Sequence, residues 1–147
     1  MRSRSRLIVS ALRLEPRERW LALRALAWVA VAGAAIRLLS FSTLIRWLER
    51  VPRRRSPRAA LSPRECERAV SRASRVLRAQ RCLPLAVAAA CMLRRAGHIP
   101  VLRIGVALAP PHRLDAHAWL ECGGVVVTGG EVSDGYAALG GAGLPGA

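Results

Sequence analysis

Residues 82–97 read C-L-P-L-A-V-A-A-A-C-M-L-R-R-A-G, and residues 101–108 read V-L-R-I-G-V-A-L. The first stretch is apolar nearly all round until Arg94, so it predicts a buried central helix rather than a surface one. Pro84 is tolerated in the first turn, where a missing N–H loses no partner. Gly97 is a natural left-handed stop, and Arg94 and Arg95 suit the negative end of the helix dipole. The second stretch reads as a strand. Residues 109–114 read as a loop, Ala116 to Cys122 alternates again, Gly123-Gly124 is a tight turn, and Val125 to Thr128 returns. The pattern predicts an α+β fold in which a central helix packs on at least three antiparallel strands. From Gly129 the chain holds Tyr136 and a glycine-rich tail with little structural signal.

Upstream, Ser62 can cap a helix, Pro63 suits its first position, and Glu65 completes a capping box. Cys66, Ala69, Ala73, Val76 and Leu77 mark one face of that helix, with Arg68, Arg72 and Arg75 opposite. Residues 1–14 read as a flexible basic arm and 15–50 as a helical region broken near Ser40. The Pro/Arg-rich segment 51–61 reads as a linker, and 62–147 as the compact C-terminal domain.

The chain has 147 residues, enough for one domain with a real core, and a formal net charge of +15 from 24 Lys+Arg against 9 Asp+Glu. That charge attracts acidic partners. No zinc-finger spacing, RNA-binding aromatic motif or helix-turn-helix signal accompanies it, so nucleic acid is not the expected partner. Cys66, Cys82, Cys91 and Cys122 have no zinc-like spacing, and neither a metal nor a cofactor is expected. No convincing secretory signal is present, and free thiols fit a cytoplasmic setting. Ala25 to Ile36 is an apolar run of twelve residues between Arg24 and Arg37. A membrane span needs about 20, so the run reads first as a buried helix. Membrane or partner contact through residues 20–47, bracketed by Trp20 and Trp47, is the second reading.

Cys82 is the candidate nucleophile because of its position. A helix start favours an anion through its partial positive charge and its unpaired N–H groups, which can also hold an oxyanion. His117 is the candidate base, to take the thiol proton and return it to a leaving group. His117, Trp119 and Glu121 share one strand face, which makes Trp119 a candidate cleft wall or substrate contact. Cys66 and Cys91 read as core, Cys122 as incidental and His98 as a surface turn residue. His112, in a proline loop, could line a cleft. A third group should orient the imidazole, and Asp115, Glu121, Glu131 and Asp134 are the acids nearby. Glu121 sits four strand residues from His117, about 13 Å away. Glu131 lies past the returning strand, which could bring it back alongside.

The stretch R-C-L-P-L-A-V-A-A-A-C-M-L-R-R-A-G-H-I-P-V-L-R-I-G-V, followed by A-H-A-W-L-E and Gly123 to Val126, resembles the B2 proteins of lasso-peptide biosynthesis. These are transglutaminase-like cysteine peptidases, and the resemblance runs from about Ser62 to Tyr136. It implies a transglutaminase/papain-like core that cleaves the leader from a ribosomally made precursor, with Cys82 as nucleophile and His117 as base. It also implies a separate leader-recognition protein and an ATP-dependent lasso cyclase as partners. The family usually carries an aspartate twelve residues after the histidine, where this chain has Gly129. Glu131, a backbone carbonyl or a water must then orient the ring. An acyltransferase on the same Cys-His pair, or a non-catalytic basic module that binds a peptide or protein, are the alternatives.

Overall fold

The computed structural model describes residues 15–53, 61–77, 82–109, 113–130 and 136–143. Its centre is the helix Cys82–Arg95, in which every residue from Ala86 to Arg94 is buried. Three helices precede it, and in chain order the elements are α1 (Pro16–Leu38), α2 (Phe41–Glu49), α3 (Pro63–Leu77), α4 (Cys82–Arg95), β1 (Val101–Ala109), β2 (Arg113–Cys122), β3 (Val125–Thr128) and β4 (Ala137–Gly143). The sheet is antiparallel, with strand order β3-β2-β1-β4.

Local chemistry explains most of the boundaries. The break between α1 and α2 falls at Leu39 and Ser40, both extended. At the start of α3 the Ser62 N–H donates to Glu65 (2.9 Å) while the Glu65 N–H donates to the Ser62 hydroxyl (3.2 Å), a reciprocal capping box. The Glu65 carboxyl is held below its usual range, chiefly by that Ser62 N–H and against the opposing effect of burial. Gly97 ends α4 at φ 94°, and Gly123 and Gly124 turn β2 into β3 at φ 59° and 77°.

The structure corrects four local readings. The tail beyond Tyr136 contains β4, which pairs with β1. Its sequence, A-A-L-G-G-A-G, shows no alternation, and the ladder to β1 sets its place. The loop read at 109–114 is shorter, since β1 and β2 remain in register out to Ala109 opposite Arg113. On α3, Val70 is buried while Val76 and Leu77, in its last turn, are exposed. Arg94 is buried, only 3% exposed, and donates to the Glu49 carbonyl at 2.7 Å. It thereby satisfies a carbonyl in the last turn of α2 as well as standing at the end of its own helix.

One hydrophobic core runs from Leu21 in α1 to Val127 in β3 and includes side chains from all four helices and from β1 and β2. It therefore takes in residues on both sides of the segment 51–61, with Val51 and Leu61 themselves buried. Residues 1–14, read as an arm, and 54–60 of the linker lie outside the described residues. Leu21, Ala25, Val29 and Ala32 form the buried stripe of α1. Alanines at 25 and 32 let α1 approach α3 and α4 closely. The Trp28 and Trp47 rings, 6.3 Å apart, join α1 to α2. By length and composition α1 could cross a membrane, but its inner face is part of this core.

Candidate active site

Of the four cysteines, three are packed away. Burial pushes the Cys66 and Cys91 thiols up to about 12 and raises Cys122 as well. Cys66 points its thiol at the Ala89 carbonyl, 3.8 Å away, inside the α3–α4 contact. Such thiols are inert because their anions have no solvation. Cys82 alone is partly open, in the first turn of α4. Because Pro84 has no N–H, the unpaired donors of that turn come from Cys82 and Leu83.

Cys82 and His117 line the same cleft of about 480 Å³, together with Leu83, Pro84, Asp115, Ala116 and the α1 residues Gly33, Ile36 and Arg37. The fold dictates this meeting. Ala118, Leu120 and Cys122 are the buried face of β2, of which Leu120 and Cys122 join the core with α4. That packing sets the first turn of α4 over the opening residues of β2. Among the described residues no hydrogen bond joins the Cys82 thiol to the ring, and such contacts often tighten only when substrate is bound.

The imidazole is oriented from the opposite side. His117 Nε2 lies 2.9 Å from the Gly129 carbonyl oxygen. A carbonyl only accepts, so Nε2 carries the hydrogen and Nδ1 of the neutral ring keeps its lone pair. The position at which the sequence resemblance implies an aspartate therefore contributes its backbone. Gly129 sits at φ 77°, and a Cβ there would stand 2.8 Å from His117 Nε2 and 2.9 Å from the Ala118 carbonyl. Both the left-handed backbone and the close ring require glycine. Of the three orienting options read from the sequence, this geometry provides the carbonyl. Glu131, Asp134 and His112 lie outside the described residues.

The two described candidate acids, Glu121 and Asp115, hold partners other than the ring. Glu121 accepts from Trp119 Nε1 (2.9 Å) and pairs with Arg103 (3.3 Å). Asp115 accepts a 2.6 Å hydrogen bond from the Tyr136 hydroxyl. That bond is the largest cause of a raised Tyr136 phenol, and negative charge on Cys82 acts in the same direction. The Tyr136 ring is centred 5.2 Å from His117. Tyr136 and Asp115 thus border the thiol and the imidazole. Asp115 could be found from its position two residues before His117 on the same strand face. Tyr136, the chain's only tyrosine, gave no positional signal because β4 was not legible.

Trp119 is not a cleft wall among the described residues. Its side chain is 6% exposed, stacks beside His117 with centroids 6.2 Å apart, and covers Gly105. A Cβ on Gly105 would meet the Trp119 ring at 2.9 Å. Its N–H is satisfied by Glu121, so it supports the imidazole from behind rather than facing solvent. His98 is likewise more than a surface turn residue, since its Nε2 bonds the Leu61 carbonyl at 2.8 Å and ties the end of α4 to the start of α3. A second groove of about 460 Å³ lies between α3 and β3 and reaches Gly129 from the far side, but neither thiol nor imidazole lines it.

A thiol in the first turn of a buried helix, with an imidazole brought to it by an antiparallel sheet, is the layout of a transglutaminase-like domain. Residues 26–140 match the profile of the transglutaminase-like superfamily, and the chain belongs to that superfamily. The match starts inside α1 and ends inside β4, so both the first helix and the last strand are part of the family's domain. The superfamily includes cysteine peptidases and acyltransferases. No curated protein and no solved structure gives a significant match.

Proposed function

We propose that this protein is a cysteine peptidase that removes the leader from a ribosomally synthesised lasso precursor peptide. The observation that carries the reading is the shared cleft of Cys82 and His117, with Nε2 of the ring committed to the Gly129 carbonyl. In the reaction Nδ1 takes the Cys82 proton as the sulfur attacks the scissile carbonyl carbon. The first-turn N–H groups of α4 hold the developing oxyanion. Collapse of that intermediate breaks the C–N bond, and the imidazolium returns its proton to the departing amine. The leader stays bound as a thioester on Cys82. Water then attacks, giving its proton to Nδ1, and the leader leaves as a free acid while the thiol is restored.

The sequence resemblance supports leader removal in particular, together with a separate leader-recognition protein and an ATP-dependent cyclase that takes the released core peptide. A cleft open to solvent and built on a small domain suits a peptide presented by another protein. The net charge of +15 favours an acidic leader or recognition surface. Cytoplasmic action follows from the same reading.

The test is to mix the purified protein with precursor and recognition protein and follow peptide masses. Cleavage should be lost in both Cys82→Ala and His117→Ala. A Cys82→Ala protein that cleaves normally would remove this assignment. A product carrying an amine nucleophile in place of the free acid would move the protein to the acyltransferases.

A further inference from the structure

The outer face of α1 is apolar, and no other helix or strand among the described residues buries it. Opposite its buried stripe, Trp20 is 56% exposed, Leu23 64%, Val31 46% and Leu38 82%, and the patch continues over Leu39 and Phe41 at the junction with α2. Exposed alanines at 27, 30 and 34 fill the spaces between. The spacing of Trp20, Leu23, Val31 and Leu38 places them on one side of the helix. A continuous apolar patch of this kind marks an interaction surface.

The charges around it identify the occupant. Exposed Arg19 and Arg37 stand at the two ends of the stripe, eighteen residues or about 27 Å apart along the helix. No acid occurs between them. Glu18, just before the stripe, is turned toward α3 and paired with Arg72 at 3.3 Å. The face therefore offers apolar side chains, cations at both ends, and near one end a tryptophan whose ring carries the Arg24 guanidinium 4.4 Å from its centre. A bilayer interface with anionic headgroups presents the complement of all three: acyl chains, phosphates and a boundary where indole rings settle.

We propose that α1 docks lengthwise on an anionic lipid surface through this face. Docking differs from spanning. Leu21, Ala25, Val29 and Ala32 remain in the domain core, so the helix lies in the interface plane with only its outer side in lipid. Gly33, Ile36 and Arg37 near the end of the same helix line the thiol–imidazole cleft. The docked protein would therefore hold that cleft beside the membrane. The proposal does not depend on the peptidase reading, because it rests on a different face and on a different observation.

The test is co-sedimentation of the full-length protein with phosphatidylcholine vesicles, with and without phosphatidylglycerol. Binding should require the anionic lipid and fall as salt rises. Leu23→Gln combined with Val31→Gln should weaken it by about tenfold or more, since each side chain would otherwise bury its area in lipid. Both positions are exposed, and an unchanged circular dichroism spectrum and unfolding midpoint would show that the fold is intact. Equal binding by parent and double variant would overturn the proposal, because the contact would then lie elsewhere. So would failure of the parent to bind either vesicle. A parent that binds no vesicle but self-associates, in a way the double variant abolishes, would assign the face to a second copy or another protein instead.

Discussion

At Gly129 two demands meet: a left-handed backbone at φ 77° and an imidazole nitrogen where a Cβ would go. Gly129→Ala should therefore cost about 1–3 kcal/mol of stability through backbone strain and lower cleavage by displacing the ring, which differential scanning and a peptide-mass assay would each detect. Gly129→Asp should behave the same way and should not restore a triad. Increased cleavage by the aspartate variant would contradict the carbonyl's role. The sequence made Cys82 and His117 legible, because a thiol at a helix start and a histidine on an alternating strand both have positional signatures. It left the orienting group open, because a backbone carbonyl has no residue type. Asp115 was visible as a nearby acid, but its hydrogen bond to Tyr136 depends on β4 lying beside β1, a pairing with no alternation to announce it.

Among the elements, α3 was the most readable, since Ser62, Pro63 and Glu65 spell out its start. Ser62→Ala should cost about 1 kcal/mol in chemical denaturation at neutral pH. The Glu65 carboxyl lies below its usual 4.5 in the folded protein, so its contribution is fully present above that value and is lost as pH falls through the lowered one. The penalty for Ser62→Ala should shrink as the pH falls through that lowered value, where protonation weakens the box. A penalty that is flat with pH would mean that Glu65 contributes little. On β1, Gly105 lies opposite His117 in the register and beneath the Trp119 ring. Gly105→Val should push Trp119 and Tyr136 away from His117 and reduce cleavage well before the protein unfolds. Tryptophan fluorescence and peptide masses would follow the two effects. Strand periodicity showed β1 as a strand but not why it carries a glycine there; that needs the ring packed across it.

For the molecule as a whole, the first helix belongs to the domain. The superfamily match begins within it, its inner stripe is continuous with the core, and its far end reaches the cleft. Ala32→Leu, which overfills the α1 contact, should destabilise by about 1–3 kcal/mol, while Ala30→Leu on the exposed side should change the unfolding midpoint little. Similar midpoints for the two would mean that α1 is not packed as described. The sequence showed α1 as apolar but not its sidedness, because hydrophobic residues lie on both faces and periodicity distinguishes nothing there.

The central claim is that Cys82 is the working thiol and that His117 draws its proton. Limited alkylation with iodoacetamide at neutral pH, followed by peptide mapping, measures this directly at all four cysteines. Cys82 should be labelled first and faster than an ordinary exposed thiol, with Cys66, Cys91 and Cys122 protected in the fold, and His117→Ala should slow Cys82 by about tenfold or more. Labelling of Cys82 at the rate of an unassisted thiol, unchanged by loss of the imidazole, would contradict the account.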